Sequence, residues 1–172
     1  MAKKITVNRP KFSVWKHIKL GTHKSLRNLV RAITNEGCFI GDDETAAILK
    51  KIVLAPAEVD IPLVNVTARD LGLDGIVTRS QIYCRAVEFD LNLVPAEGGP
   101  QLRRQYLDQP MSHLFVAMEP IVDQHGLPQI FKIRCSGDGI SRDLATSTCN
   151  AGATDLWDSN DRWTFTLAGN PA

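Results

Sequence analysis

The stretch Pro95-Ala-Glu-Gly-Gly-Pro-Gln-Leu-Arg-Arg-Gln-Tyr-Leu-Asp-Gln-Pro110 separates a half of the chain that reads as helical from a half that reads as β-structure. It is also the densest polar block in the sequence, holding Glu97, Gln101, Arg103, Arg104, Gln105, Tyr106 and Asp108 between two prolines. Gly98-Gly99-Pro100 lets the backbone bend sharply. If residues 101–106 are extended, Gln101, Arg103 and Gln105 project from one face, and Tyr106 and Asp108 stand beside them. Such a fork of donors suits a carboxylate, a phosphate or a base. Glu119 follows the neighbouring strand, where it can approach Glu97 or Arg103. Glu97 and Glu119 are therefore a candidate acid/base pair, with Arg103 as anion stabiliser. The competing reading is a structural turn whose Arg–Glu pairs fix a sheet edge; ion-paired turns are common, and two carboxylates of unknown separation prove nothing.

Upstream of the block, residues 4–9 and 12–20 read as extended, and Gly21 ends the second segment. Leu26, Leu29, Val30 and Ile33 fall at i, i+3, i+4 and i+7, which predicts a helix that Thr22 can cap and Gly37 stops. Lys24, Arg27 and Arg31 cluster on its opposite face. A second helix is expected from about Asp43 to Ile52, with acidic residues at its start and Lys50 and Lys51 at its end. Val59 to Val66 reads as a strand, and Pro62 argues for an edge position or a bulge. After a short capped turn of helix at residues 67–72, a third helix starts at Thr78. Thr78 and Gln81 fit a capping box, and Val77 with Ile82 fits a hydrophobic staple.

Downstream, residues 114–118 and 130–135 read as paired strands joined by a turn at residues 123–128, with a second turn at Ser136 to Gly139. In the last strand Trp163, Phe165 and Leu167 alternate with Arg162, Thr164 and Thr166, which predicts one core face and one wet face. The expectation is a single α+β domain over residues 1–172, helix-rich over 22–93 and β-rich over 101–168. Its N-terminal helices would pack on a mostly antiparallel C-terminal sheet.

At 172 residues and 44% hydrophobic, the chain is large enough to bury its own core. The net charge of +1 hides an asymmetry: nine Lys and Arg precede the first acidic residue, Glu36, and the remainder holds 11 basic and 19 acidic residues. A basic lobe and an acidic body are complementary, within one chain or between two copies. Lys24, Arg27 and Arg31, with Lys16, Lys19 and His23 nearby, are the candidate surface for an acidic partner or a nucleic-acid backbone; the competing reading is a solvated helix face. Residues 67–94 match a helix-turn-helix in outline, with Arg79, Ser80 and Gln81 opening the longer helix, but the segment is slightly acidic where a DNA reader needs a positive face. Trp157 and Trp163 flank Asp158-Ser-Asn-Asp161, read as a hairpin with core tryptophans because the order of a calcium loop is missing.

Phosphate-loop, dinucleotide, zinc-hydrolase and nucleophile-elbow motifs do not occur in the sequence. Cys38, Cys84, Cys135 and Cys149 lack metal-ligand or disulfide-scaffold spacing, so reduced, partly buried cysteines are expected, with no metal and no cofactor. The N-terminus does not read as a signal peptide, and no apolar run approaches the roughly 18 residues of a spanning helix. A cytoplasmic location and no membrane partner are the expectation.

The block from Pro95-Ala-Glu through Gly99-Pro-Gln-Leu-Arg103, Gln105-Tyr106 and Asp108-Gln-Pro110, followed by Ala117-Met-Glu-Pro-Ile121 and a Gly-Leu-Pro128 turn, resembles a group of short uncharacterised bacterial proteins found in mobile DNA such as integron cassettes. The likeness extends to Gly21-Thr-His-Lys-Ser25 and Ile40-Gly-Asp42, and so spans most of the chain. It departs from the group at Gly98, where an aliphatic residue is usual, and at Asp43, where an aromatic is. The resemblance implies a bacterial, single-domain accessory protein and brings no activity. Together with the residue patterns it favours a non-catalytic binding or adaptor module for a small polar ligand or a macromolecular partner. A hydrolase or transferase using Glu97, Glu119 and Arg103, and a nucleic-acid-binding protein, are the alternatives.

Overall fold

The computed structural model describes residues 12–110, 112–137, 139, 141–149 and 155–167; the extended segment expected at residues 4–9 lies outside them. The chain runs through β1 (Lys16–Leu20), α1 (Leu26–Asn35), β2 (Phe39–Ile40), α2 (Asp43–Leu49), β3 (Val59–Thr67), β4 (Ile76–Thr78), α3 (Arg79–Glu88), β5 (Leu91–Asn92), α4 (Gly98–Gln105), β6 (Ser112–Val116), β7 (Ile121–Val122), β8 (Pro128–Cys135), β9 (Arg142–Thr148), β10 (Leu156–Asp158) and β11 (Arg162–Leu167).

Helices and strands are both present, and sheet predominates. The main sheet is not confined to the C-terminal half. Its order is β1-β3-β11-β6-β8-β9-β2, with β5 added on β11 and β7 on β8, so strands from both halves interleave; β4 and β10 form a separate ribbon. Most pairs are antiparallel, but β11 lies parallel to β6 and β2 parallel to β9. Helix α4 packs on β1 and also on β8 and β9. Strands so far apart in the sheet order meet one helix only because the sheet curls around it.

The two faces of the sheet are covered differently. Trp163 and Phe165 project to the outer face, where Tyr83 of α3 meets their rings edge-on at 5.9 and 6.0 Å and Trp157 of β10 meets Trp163 at 4.8 Å. Burying one such large side chain contributes about 2–3 kcal/mol. The other face is not wet as the alternation suggested: Thr164 is fully buried, because β11 is an interior strand over the α4 side. Gly99 is required there, since a Cβ at this position would stand 2.7 Å from the Phe131 ring.

Local signals were mostly sound and ran a few residues off. Ser25, not Thr22, caps α1, accepting from the Asn28 N–H, so Lys24 precedes the helix. Gly37, with φ +74°, ends the turn that follows α1. Asp42 caps α2, which stops at Leu49 and not Ile52. Both bonds of the Thr78–Gln81 capping box form. Strand β3 lies between β1 and β11, so Pro62 marks neither edge nor bulge. Leu63 turns its carbonyl to Trp15 N–H on the β1 side, so the backbone of Pro62 faces β11, one residue beyond the last β3–β11 pair, Leu63 with Thr166. The missing N–H falls where that ladder ends, and the Pro62 carbonyl accepts from the Thr166 hydroxyl.

Two motifs weighed from the sequence, a helix-turn-helix and a hairpin, do not form. Residues 68–72 are a turn, closed by reciprocal Thr67–Asp70 bonds, and β4 intervenes before α3. Without a first helix there is no helix-turn-helix, and Arg79 points inward to Asp155 at 3.6 Å and to the face of Tyr83. The Asp158–Asp161 turn joins β10 and β11, which belong to different sheets, so it is not a hairpin, although Trp157 and Trp163 are core residues.

Candidate functional site: the two ends of helix α4

The polar block folds as helix α4, not as extended chain, and this redistributes its side chains. Gln101 and Gln105, one helical turn apart, share a face, while Arg103 turns to the other side. Glu97, just before the helix and 1% exposed, accepts from Gly21 N–H at 2.8 Å, Gln101 Nε2 at 2.8 Å and Ala55 N–H at 2.7 Å. Gln101 also donates to Thr22 Oγ1 and accepts from Gln105 Nε2. Gln105 pairs with the Lys19 backbone in both directions, at 2.9 and 2.8 Å. These residues tie the end of β1 and the loop at Ala55 to α4, and each of their amides and carboxylates is already bonded to protein.

Arg103 is fully buried and pairs with no carboxylate among the described residues. It donates to Gln109 Oε1 at 2.6 Å, to the Arg134 carbonyl at 3.3 Å and to the Tyr106 carbonyl. Burial pulls its pKa below the ordinary guanidinium value, against the opposing influence of Cys38. Glu119 is exposed beside a different, apolar groove lined by Tyr83, Cys84, Val87, Leu91 and Phe165. Glu97, Arg103 and Glu119 therefore do not converge, and the acid/base arrangement expected of them does not form. Gln101, Arg103 and Gln105 do not form a fork, because a helix, not a strand, carries them.

The C-terminal end of α4 is different. Tyr106, Gln109 and Pro110 meet Asn65 of β3, Ser112, His113 and Leu114 of β6 and Arg162 of β11 around a cleft of about 270 Å³. A second cleft of about 230 Å³ shares Ser112, His113 and Arg162 and adds Asn160 and Asp161. Gln109 is held rigidly: its Oε1 accepts from Arg103, and its Nε2 donates to the Ser112 and Ile133 carbonyls. Tyr106 stacks edge-on with Trp15 at 5.1 Å and lies under Lys16 Nζ at 4.8 Å. Burial, with Asp108 nearby, raises its pKa, so the hydroxyl stays neutral. His113 Nε2 lies 3.3 Å from Asp161 Oδ1. Asn65 Oδ1 and Thr164 Oγ1, on paired residues of β3 and β11, are buried with no partner among the described residues. Of the ligand residues expected from the block, only Tyr106 lines this cleft; Asp108 is exposed nearby. The signal for the rest was a lone amide, Asn65, within the otherwise apolar run of residues 61–66 of β3.

Lys24, Arg27 and Arg31 are exposed and join no ion pair among the described residues. Arg104 and Lys19, by contrast, are held by Glu36 and Glu58. Cys38, Cys135 and Cys149 are buried, but Cys84 is exposed, against the expectation for all four; none is in a disulfide. Among the described residues no cluster of three His, Cys, Asp or Glu could hold a metal ion, and no helix is long and apolar enough to cross a membrane. The curled mixed sheet around a buried helix places the chain in the α+β class. No family model, curated protein or solved structure matches it significantly.

Proposed function

We propose that this protein is a non-catalytic binding module for a small polar ligand, held in the cleft of Asn65, Tyr106, Gln109, His113 and Arg162. The observation that carries the reading is the unpaired side-chain amide of Asn65, its buried Oδ1 without a partner among the described residues, beside a cleft built from three strands and the end of α4. Buried polar atoms are nearly always paired, and the exceptions call for a reason. Catalysis finds less support. The Ser112 hydroxyl donates to the Pro110 carbonyl and not to His113, so no base activates it.

The test is a titration of the isotope-labelled protein with sugars, sugar acids and amino acids, followed by amide chemical shifts. The reading expects shifts confined to residues 106–114, 65 and 160–164. Shifts centred on Glu97 and Gln101, or on no residue of the cleft, would overturn it.

A second reading rests on a separate observation, the unpaired Lys24, Arg27 and Arg31. They suit an acidic partner, whether protein, a second copy of this chain or nucleic acid. Changing all three to Ser should weaken such binding and reduce its salt dependence; unchanged binding would sink this surface.

A further inference from the structure

We infer that the ligand of this cleft is a small polyhydroxylated carboxylate of sugar-acid size, with its carboxylate on Arg162 and its hydroxyls on Asn65 and Tyr106. The inference rests on the cleft being the binding site and adds the chemistry of what fills it.

Size comes first. At about 270 Å³, the cleft lies just under the roughly 300–1,000 Å³ of sites for drug-sized ligands. It admits one ring with its substituents and little more.

Charge comes next. Arg69, Arg79, Arg85, Arg104 and Arg134 each lie against a carboxylate of this chain. Arg162, at the mouth of the cleft, has no such partner among the described residues, and no carboxylate lines the cleft with it. Lys16, over the Tyr106 ring, adds a second positive charge beside that lining residue. Asp161, in the adjoining cleft, is already engaged: its Oδ1 faces His113, and its Oδ2 accepts from the Asp158 N–H. Asp108 is exposed beside Tyr106. A single guanidinium fork matches the two oxygens of a carboxylate.

The hydroxyl requirement follows from the remaining wall. The Asn65 side-chain amide makes no hydrogen bond to a described residue, its Oδ1 lying beneath the cleft surface, and neither does the Tyr106 hydroxyl. A simple carboxylic acid would leave both unsatisfied, whereas ligand hydroxyls both donate and accept. Leu114 and Pro110 supply apolar surface for the C–H face of a ring. Arg103 is a positioning residue here: by holding Gln109 and the Tyr106 carbonyl, it sets that wall before the ligand arrives, which lowers the ordering cost of binding.

The experiment titrates the full chain with three probes of equal ring size: D-glucuronate, D-glucose and cyclohexanecarboxylate. Calorimetry gives affinity, and amide shifts give location. Glucuronate is expected to bind at least about tenfold more tightly than either of the others. Arg162→Gln should reduce glucuronate to the affinity of glucose. Tyr106→Phe, which keeps the ring on Trp15, and Asn65→Leu should reduce it toward that of cyclohexanecarboxylate. Glucose binding as tightly as glucuronate would overturn the anion assignment while leaving a polar-ligand site standing. Cyclohexanecarboxylate binding as tightly would overturn the hydroxyl assignment. If none of the three shifts the cleft residues at tens of millimolar, both the inference and the binding reading fall.

Discussion

The two ends of helix α4 gather the same kinds of side chain but differ in how those side chains are bonded. At the N-terminal end Glu97, Gln101 and Gln105 bond to one another and to the backbone of Gly21, Ala55 and Lys19. At the C-terminal end Asn65 keeps an acceptor unused, and Arg162 has no counter-ion among the described residues. A dense run of polar residues in sequence is thus a mark of neither site nor scaffold. What separates Glu97, Gln101 and Gln105 from Asn65 is whether the side-chain carboxylate or amide already has a partner.

The largest effect should come from the closed end. Glu97→Ala leaves the Gly21 and Ala55 N–H groups without acceptors, each costing about 1–3 kcal/mol. The melting temperature is expected to fall by about ten degrees for a chain of this size. A fall of only a degree or two would mean that water replaces the carboxylate and that this end is not closed.

Next is the seating of the helix between the two ends. In Gly99→Ala the new methyl would stand 2.7 Å from Phe131 Cδ2, and overpacking of this kind costs about 1–3 kcal/mol. The urea midpoint reports it; an unchanged midpoint would show that α4 can shift without loss.

A smaller, pH-dependent effect belongs to the closed end. Burial, with Arg104 beside it, holds the His23 pKa below 6.5. The unfolded chain therefore binds the proton more readily. Stability is full above pH 6.5 and declines as pH falls from there through the folded value. Comparison of wild type with His23→Gln at about pH 7.5 and about pH 5.5 should show a shallower decline in the variant. Equal declines would remove His23 from the closed network.

The smallest effect on stability is expected for Lys24, Arg27 and Arg31 changed together to Ser, a surface that belongs to neither end. Helix propensity alone sets the change, at most about 1 kcal/mol. A larger loss of melting temperature would show that the basic face is engaged within the fold.

Much of this was legible where a signal is local. The Thr78–Gln81 box, the start of α2 at Asp43 and the apolar face of Trp163 and Phe165 depend on near neighbours in sequence. Helix α4 was not legible, because Gly-Gly-Pro looks like a turn. Gly99 serves a distant contact with Phe131 and Gly98 a close approach to Val94, and Pro100 falls within the first turn, where its missing N–H is tolerated. Strand β9 carries the polar sequence Arg142–Thr148 and is stabilised by β8 on one side and β2 on the other, neither of which is visible locally. The interleaving of the two halves depends on β11 inserting between β3 and β6, a long-range pairing that no periodicity reports. Of the residues lining the proposed cleft, Tyr106 lies within the polar block, whereas Asn65, His113 and Arg162 come from three strands that only the fold brings together.

The central claim, that one end of α4 is committed to the fold and the other kept for a ligand, is tested most directly by melting two variants side by side. Asn65→Leu removes an unpaired buried acceptor, and Glu97→Ala removes a fully bonded one. The account predicts that Asn65→Leu melts at or above the parent temperature while Glu97→Ala melts well below it. Asn65→Leu falling as far as Glu97→Ala would contradict the account, because Asn65 would then serve the fold and the cleft would have no unused group to offer.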